Sequence, residues 1–386
     1  MDATELSDML AAVRRFVRDT VVPAEDEIEE TDAIPDRIRK ACKDMGLYGF
    51  AIPQRYGGIG LTAVEEVELA MELGWTSPAL RSQFGTNNGI AGHVLLEGGT
   101  EEQKQEWLPR LASGEVVASF ALTEPDAGSD ASALSTRAVR DGDRWLLTGT
   151  KRFITNAPLA DVFMVFARTG DDPGLPASRG ISAFLVPAGT PGLVVAERDH
   201  KMGQAGSWTA DVHLDGVSVG PDALIGGPDG LGRGFVTAMR CLAHGRLHIA
   251  ALCVGMAQRL VDEQVTYAAG RRQGGRAIAT HQLVQAMIAD SVTETRAGRA
   301  FVREAAAGYD DGSDTTVGPS AAKYFCSEMV GRVADRAVQI HGGSGYIRGV
   351  PVERFYRDVR LFRIYEGTSQ IQQLVIARGT LAAVAS

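Results

Sequence analysis

Three short runs, Trp145-Leu146-Leu147-Thr148, Val162-Phe163-Met164-Val165-Phe166 and Ile181-Ser182-Ala183-Phe184-Leu185-Val186, decide how this 386-residue chain is read. They are brief, partly alternating, and rich in β-branched and aromatic residues, which is the texture of strands. Asp141-Gly142-Asp143 and Asp215-Gly216 supply hairpin signals around them. A β unit is therefore expected between about Val116 and Ile225. Outward from it the period lengthens in both directions. Toward the N-terminus, Met9, Val13, Phe16 and Val17 recur at three- and four-residue spacing, and four or five helices are expected between Leu6 and about Leu111. Tyr56-Gly57-Gly58-Ile59-Gly60 breaks that run, and Thr76-Ser77-Pro78 starts another helix. Toward the C-terminus, Ile249, Leu252, Cys253 and Met256, then Leu283, Met287 and Ile288, restore the helical period from about Gly234. Helices, then strands, then helices is a segregated α+β order, unlike the alternation of a dinucleotide-binding fold. Three units follow, 1–115, 116–227 and 228–386.

A chain of this length exceeds what one hydrophobic core usually organises. Its 45% hydrophobic and 23% charged content is globular. A net charge of -9 argues against nucleic acid as a partner, and no Lys/Arg run suggests a membrane surface. Met1-Asp2-Ala3-Thr4-Glu5 lacks a basic leader, and no apolar stretch approaches ~20 residues, so a cytoplasmic location is expected. Cys42, Cys241, Cys253 and Cys326 are widely separated and read as buried thiols. His244 and His248 have helical i,i+4 spacing, but neither an acidic residue nor a third ligand accompanies them in the sequence, so no metal site is expected. No G-x-S-x-G elbow occurs, and Gly227 to Gly234 reads as a connecting loop.

Three segments carry chemistry-bearing residues. In Ile364-Tyr365-Glu366-Gly367-Thr368-Ser369-Gln370-Ile371-Gln372-Gln373-Leu374, Ser369 and Gln372 have capping-box spacing, so a helix is expected to start there. Glu366 then falls in the preceding loop, either as a partly desolvated general base or as an exposed carboxylate favouring the helix dipole. Leu122-Thr123-Glu124-Pro125-Asp126-Ala127-Gly128-Ser129-Asp130 is a turn able to bind polar rings or phosphates, or simply a turn. Gln339-Ile340-His341-Gly342-Gly343-Ser344-Gly345-Tyr346 lets backbone approach a phosphate, or simply ends a helix.

Taken in order, these segments resemble the acyl-CoA dehydrogenase family over essentially the whole chain. Ala121 to Asp130 resembles its first signature, Lys151-Arg152-Phe153-Ile154-Thr155-Asn156 its second flavin segment, and Ile364 to Thr368 its catalytic loop. The resemblance implies a helical N-terminal domain, a middle antiparallel β domain and a C-terminal four-helix domain, assembled as a homotetramer or dimer. It implies FAD, with Phe120, Leu122, Thr123, Gly128 and Ser129 lining the flavin, and with Phe153, Ile154 and Thr155 against its ring. Arg271, Gln273, Gln282, Gln339, Gly342 and Gly343 would hold the ADP half across a subunit interface, and Thr368 and Gln370 would complete the site. Glu366 would be the catalytic base, while Ser129, Arg246 and Gly367 would contact acyl-CoA. The implied reaction is α,β-dehydrogenation of an acyl-CoA thioester, with an electron-transfer flavoprotein as acceptor. Some members carry the base immediately before the CoA-binding arginine, where this chain has Gly245. It also departs from the family at Gly274, Ala243 and Gly349. An acyl-CoA oxidase, or a non-catalytic flavin- or CoA-binding member, are the alternatives on the same fold. The segment Gly85 to Gly92 is expected near the acyl chain, its small residues serving either a deep pocket or close helix packing.

Overall fold

The computed structural model describes residues 1–170, 174 and 176–385. Seven helices precede the strands: α1 (Ala3–Phe16), α2 (Glu25–Thr31), α3 (Asp36–Asp44), α4 (Ala63–Leu73), α5 (Ala79–Gly85), α6 (Ala91–Gly98) and α7 (Glu101–Ala112). This exceeds the four or five expected, because several breaks are single widened turns that leave the apolar period running on. Phe16 passes through a π-turn, Val17–Val21, and α5 and α6 are joined by another, Thr86–Ile90. Other starts follow local chemistry. Thr100 caps α7 in a reciprocal box with Gln103, and Thr62 caps α4 in the same way with Glu65.

The strands are β1 (Ala118–Ala121), β2 (Arg137–Asp141), β3 (Arg144–Thr155), β4 (Val162–Arg168), β5 (Ile181–Pro187), β6 (Leu193–Arg198) and β7 (Thr209–Val219). The pairs β2–β3, β3–β7, β6–β7 and β4–β5 are antiparallel, as expected. Departing from an all-antiparallel sheet, β1 lies parallel to β4, and β2 meets β4 in parallel at Arg137 and Arg168. The chain leaves β1 and returns as β4 only after β2 and β3, the long crossover that parallel pairing needs. β4 and β5 are buried on both faces along six residues each, so their sequences read as solid apolar runs. Val162, Met164 and Phe166 join a core with Val94, Leu95 and Leu108 of the helices. Phe163 and Val165 join another with Trp145, Leu147 and Val212 of the sheet.

The remaining chain forms α8 (Gly234–Gly270), a short hairpin β8 (Arg272–Gln273) and β9 (Arg276–Ala277), then α9 (Gln282–Asp310), α10 (Val317–His341), α11 (Pro351–Asp358) and α12 (Ser369–Ala385). At 37 residues α8 runs roughly 55 Å, from the sheet into the helical core. Its start touches β5, where a Cβ on Gly234 would lie 2.5 Å from the Ser182 carbonyl carbon. Further along, Gly255 lies backbone to backbone against Met71 and Gly74, at the C-terminal end of α4. All four cysteines are buried and unpaired. Among the described residues no helix is long and apolar enough to cross a membrane.

Candidate active site

Between α11 and α12 the backbone makes a strained excursion. Glu366 has φ +51° and Gly367 φ +91°. A non-glycine residue in this region is uncommon and persists only where its surroundings hold it. Gln372 Nε2 donates to the Glu366 and Gly367 carbonyls at 3.1 and 3.0 Å. Lys323 Nζ, from α10, donates to the Gly367 carbonyl at 2.7 Å. Arg246, from α8, reaches the Glu366 carbonyl with Nε at 3.5 Å while Nη1 donates to Ser320 Oγ at 3.1 Å. The helix does start here, but Ser369 is not its cap. Thr368 Oγ1 accepts from the Ile371 amide at 3.3 Å, and Ser369 Oγ donates instead to Glu328 at 2.7 Å. Helical geometry begins at Ser369, so the capping position falls one residue earlier, and Gln372 is left to serve the loop carbonyls.

The base reading of Glu366 gains its physical content from what its carboxylate lacks. Oε2 is sealed from solvent and has no hydrogen-bond partner. Its room comes from Gly245, where a Cβ would stand 2.5 Å from Oε2. Burial pushes the carboxyl above the ordinary range, and the cationic groups of Arg81, Lys323, Arg246 and His244 only partly draw it back.

Glu366 opens on a cavity of about 410 Å³ that also contains Gly367, Arg246, Phe120, Leu122, Thr123, Gly128, Ser129, Phe153, Ile154 and Thr155. Eleven expected site residues, drawn from β1, the turn after it, β3, α8 and the loop before α12, thus share one wall-to-wall space. Phe153 stands at a bulge in β3, with φ +57° and 58% exposure, directed outward between buried Lys151 and Ile154. The Gly128 α-carbon faces open space. The hydroxyls of Thr123, Ser129 and Thr155 make no hydrogen bond among the described residues. Uncovered backbone, free hydroxyls and an exposed aromatic side chain fit a flat ring with polar edges.

That wall is braced from behind by Glu124. Its carboxylate accepts from the Ser135 amide at 2.6 Å, the Thr136 amide at 2.9 Å and Lys151 Nζ at 2.8 Å. Lys151 Nζ also donates to the Leu122 carbonyl at 3.2 Å, tying the two flavin-type segments together. Burial alone would raise Glu124, but Lys151 and these donors hold it at about 2. Burial pushes Lys151 down to about 8 against the pull of Glu124.

Other expected residues lie elsewhere. Arg271, Gln273, Gln282, Gln339, Gly342 and Gly343 are exposed in this chain. Arg271 follows Arg246 by 25 positions along α8, roughly 37 Å by helical rise. They share the far end of the molecule, where Tyr267 stacks on His341 with ring centroids 4.1 Å apart. Gln370 is exposed and Thr368 is a cap, so neither lines the cavity.

The sequence reading missed Arg81, Ser82, Thr86, Ile90 and Tyr365, which line the cavity, and Lys323, which holds its loop. Only Gly85 to Gly92 pointed to that quarter, and its small residues do not line a deep slot. A Cβ on Gly89 would stand 2.9 Å from Arg81 Nη2, and one on Gly92 would overlap the Asn87 carbonyl, so close packing explains both. A second correction concerns His244 and His248. An acidic residue does accompany them: Glu66 of α4, 182 positions before His248, bonds to both rings. No spacing rule reaches that far.

Comparisons with known proteins agree along the full length. Residues 3–115, 119–217 and 232–381 match the models for the acyl-CoA dehydrogenase N-terminal, middle and C-terminal domains. The caffeyl-CoA reductase-Etf complex subunit CarC of Acetobacterium woodii is 41% identical, over 91% of each chain. Butyryl-CoA dehydrogenase from Megasphaera elsdenii superposes with a TM-score of 0.92 at 31% identity, covering 97% of this chain and 98% of that one. A glutaryl-CoA dehydrogenase from Mycobacterium smegmatis, solved with FADH2, gives 0.90 at 30% identity, covering 98% and 95%.

Proposed function

The chain belongs to the acyl-CoA dehydrogenase family, flavin-dependent oxidoreductases acting on CH–CH bonds, and on that premise we propose that Glu366 is the base that removes the α proton of an acyl-CoA thioester. The observation that carries the proposal is that Glu366 lines the cavity shared by both flavin-type segments while its buried Oε2 has no hydrogen-bond partner among the described residues. A carboxylate with no hydrogen bond to surrender and a raised proton affinity is suited to accept a proton. Charge developing on the thioester oxygen requires donors already in place. The Glu366 amide, which makes no hydrogen bond among the described residues, is one such donor. Ser129, Arg246 and Gly367 are proposed to contact the acyl-CoA. Bound flavin, proposed to be FAD, supplies the acceptor for hydride from the β carbon.

Phe120 to Ser129 and Phe153 to Thr155 are proposed to hold the flavin ring, and Thr368 and Gln370, which lie off that cavity, are proposed to complete the cofactor site. Arg271, Gln273, Gln282, Gln339, Gly342 and Gly343 are proposed to hold the ADP half of a flavin bound mainly by another copy, in a homotetramer or dimer. Their exposure, and their separation from Arg246 along α8, support this arrangement. An electron-transfer flavoprotein is the proposed acceptor, in keeping with the Etf complex to which the A. woodii relative belongs. That relative is a reductase, and the same residues serve the reverse direction, with protonated Glu366 delivering the proton.

The test is anaerobic bleaching of the flavin absorbance by acyl-CoAs of graded length and branching, beside Glu366→Gln. Bleaching in the wild type and its loss in the variant are expected. Bleaching that survives in Glu366→Gln would mean another base. Reoxidation of the reduced protein by enoyl-CoAs measures the reverse reaction.

A further inference from the structure

A run of buried charge lies beneath the cavity, and the steps above do not use it. Arg81, from α5, lines the cavity with Glu366 and is 8% exposed. Its Nη2 stands 2.9 Å from Nδ1 of His248 on α8, and its Nε has no partner. On the other side of the His248 ring, Nε2 bonds to Oε2 of Glu66 on α4. The same oxygen lies 2.9 Å from Nε2 of His244.

Proton positions follow from elementary chemistry. A guanidinium only donates, so His248 Nδ1 accepts, and the ring proton sits on Nε2 and points to Glu66. Burial pushes His248 down to about 4, so the ring is neutral near pH 7. His244 faces acceptors with both nitrogens, Glu66 on one side and the Gly89 carbonyl at 3.3 Å on the other. Burial opposes charge on His244, but these acceptors outweigh it and raise its proton affinity. Glu66, His244 and His248 are close enough to suggest a cation site. His248, however, cannot offer Nε2 to a metal while Arg81 occupies Nδ1. The cluster is therefore a hydrogen-bonded relay ending on Arg81.

The backbone around Arg81 is shaped to the same end. A Cβ on Gly85 would stand 2.7 Å from the guanidinium, and one on Gly89 would stand 2.9 Å from Nη2 and 3.2 Å from His248 Nδ1. Neither glycine has the positive φ that favours glycine over alanine. Their value at these positions is the slot they leave.

The groups facing Glu366 are Arg81 from α5, Lys323 from α10, Arg246 and His244 from α8, and its neighbour Tyr365. Lys323 and Arg246 are engaged with the loop carbonyls, whereas among the described residues His248 is the one hydrogen-bonding partner of Arg81. We propose that His248, oriented by Glu66, is a positioning residue that seats the Arg81 guanidinium in the glycine slot beside Glu366, and through Arg81 keeps that carboxylate ionised for proton abstraction. This rests on the reading of Glu366 as the base.

The test is the pH dependence of flavin bleaching by a saturating acyl-CoA, in holoprotein whose flavin content and melting temperature are measured alongside. His248→Leu removes the acceptor for Arg81, so the acidic limb is expected to move to higher pH. An opposite charge at close range shifts a carboxylate by about a unit or more, so bleaching near the limb should slow roughly tenfold and recover at high pH. His248→Asn places an amide oxygen near the Nδ1 position and should restore the wild-type limb. Gly89→Ala should displace Arg81 and reproduce the shift, and because alanine favours helix it carries the test if His248→Leu does not fold. In an Arg81→Met background, His248→Leu should add no further shift. An unmoved limb in both His248→Leu and Gly89→Ala, or a full further shift in the Arg81→Met background, overturns the proposal. Glu366→Gln separates the two readings: if it abolishes bleaching while the His248 and Gly89 variants leave the limb in place, only the relay fails, and if it does not, the base assignment fails first.

Discussion

Two glutamates, one within the first flavin-type segment and one on the loop that shares its cavity, are treated by the molecule in opposite ways. Glu124 is 4% exposed and saturated: two backbone amides, the Ser135 hydroxyl and Lys151 satisfy its carboxylate. Glu366 keeps an oxygen with no partner among the described residues, in a strained backbone held by donors that bind its carbonyl and that of Gly367 instead. The first is drawn down to about 2, and the second is pushed up. The side chain is the same and the surroundings set its role. A carboxylate with every lone pair engaged is a strut, and one denied partners has the chemistry proposed for Glu366.

The largest test of that contrast is Glu366→Gln. Loss of the proposed general base should slow flavin bleaching by roughly 10²- to 10⁴-fold. Because the amide removes a buried unpartnered charge, the melting temperature should hold or rise. The pH dependence of stability should also differ in sign between the two. Glu124, with its lowered value, contributes stability that is present above 4.5 and lost as pH falls toward about 2. Glu366, with its raised value, favours its protonated form in the fold, so its contribution declines as pH rises above 4.5. Buried Asp358, pushed up to about 7, contributes a decline to both proteins, so urea unfolding of the wild type and of Glu366→Gln above pH 4.5 should show the steeper decline in the wild type.

Lys151→Met attacks the strut. It leaves Glu124 buried without its cation and should cost about 3–5 kcal/mol in unfolding free energy, with weakened flavin retention as the turn loosens. A cost below about 1 kcal/mol would show that the amides alone hold Glu124. Gly245→Ala tests the room left for the Glu366 carboxylate. Its methyl would meet Oε2, and displacing the carboxylate by a fraction of an ångström to an ångström should slow bleaching by up to about 100-fold, with flavin content unchanged. The smallest effect is expected from Thr368→Ala, which removes the cap of α12 beneath the Glu366 loop. Thermal unfolding should register about 1 kcal/mol.

Much of this was legible in the sequence where the determinants are local. The runs at Val162 and Ile181 mark β4 and β5, the helical periods on either side mark the flanking units, and Glu366 sits beside a visible helix start. What stayed hidden depends on contacts between distant segments. Lys323 reads as one more lysine in a helix until α10 passes beneath Gly367, and Arg81 is unremarkable until α8 brings His248 against it. The parallel placement of β1 beside β4 is equally invisible, because no local turn dictates it. The glycines of the α5–α6 junction were noticed, but composition alone could not say that a guanidinium fills the space they leave.

The crossing of α4 and α8 has a consequence for how such a protein can change. At Gly74 and Gly255 the two main chains touch directly, and a single methyl on either has nowhere to go. That contact acts as a mechanical pin about ten residues from Gly245, on the same continuous helix. Removing one residue between His248 and Gly255 would rotate everything upstream by about 100°, swinging Gly245, Arg246 and His248 out of the site together, and a gap nearer Gly245 would remove or displace part of the same set. Side chains around the cavity can be exchanged one at a time, but the length of this stretch of α8 is indivisible. Deletion scanning from 246 to 254 should find no tolerated single-residue gap, even though substitutions at many of the same positions are accepted.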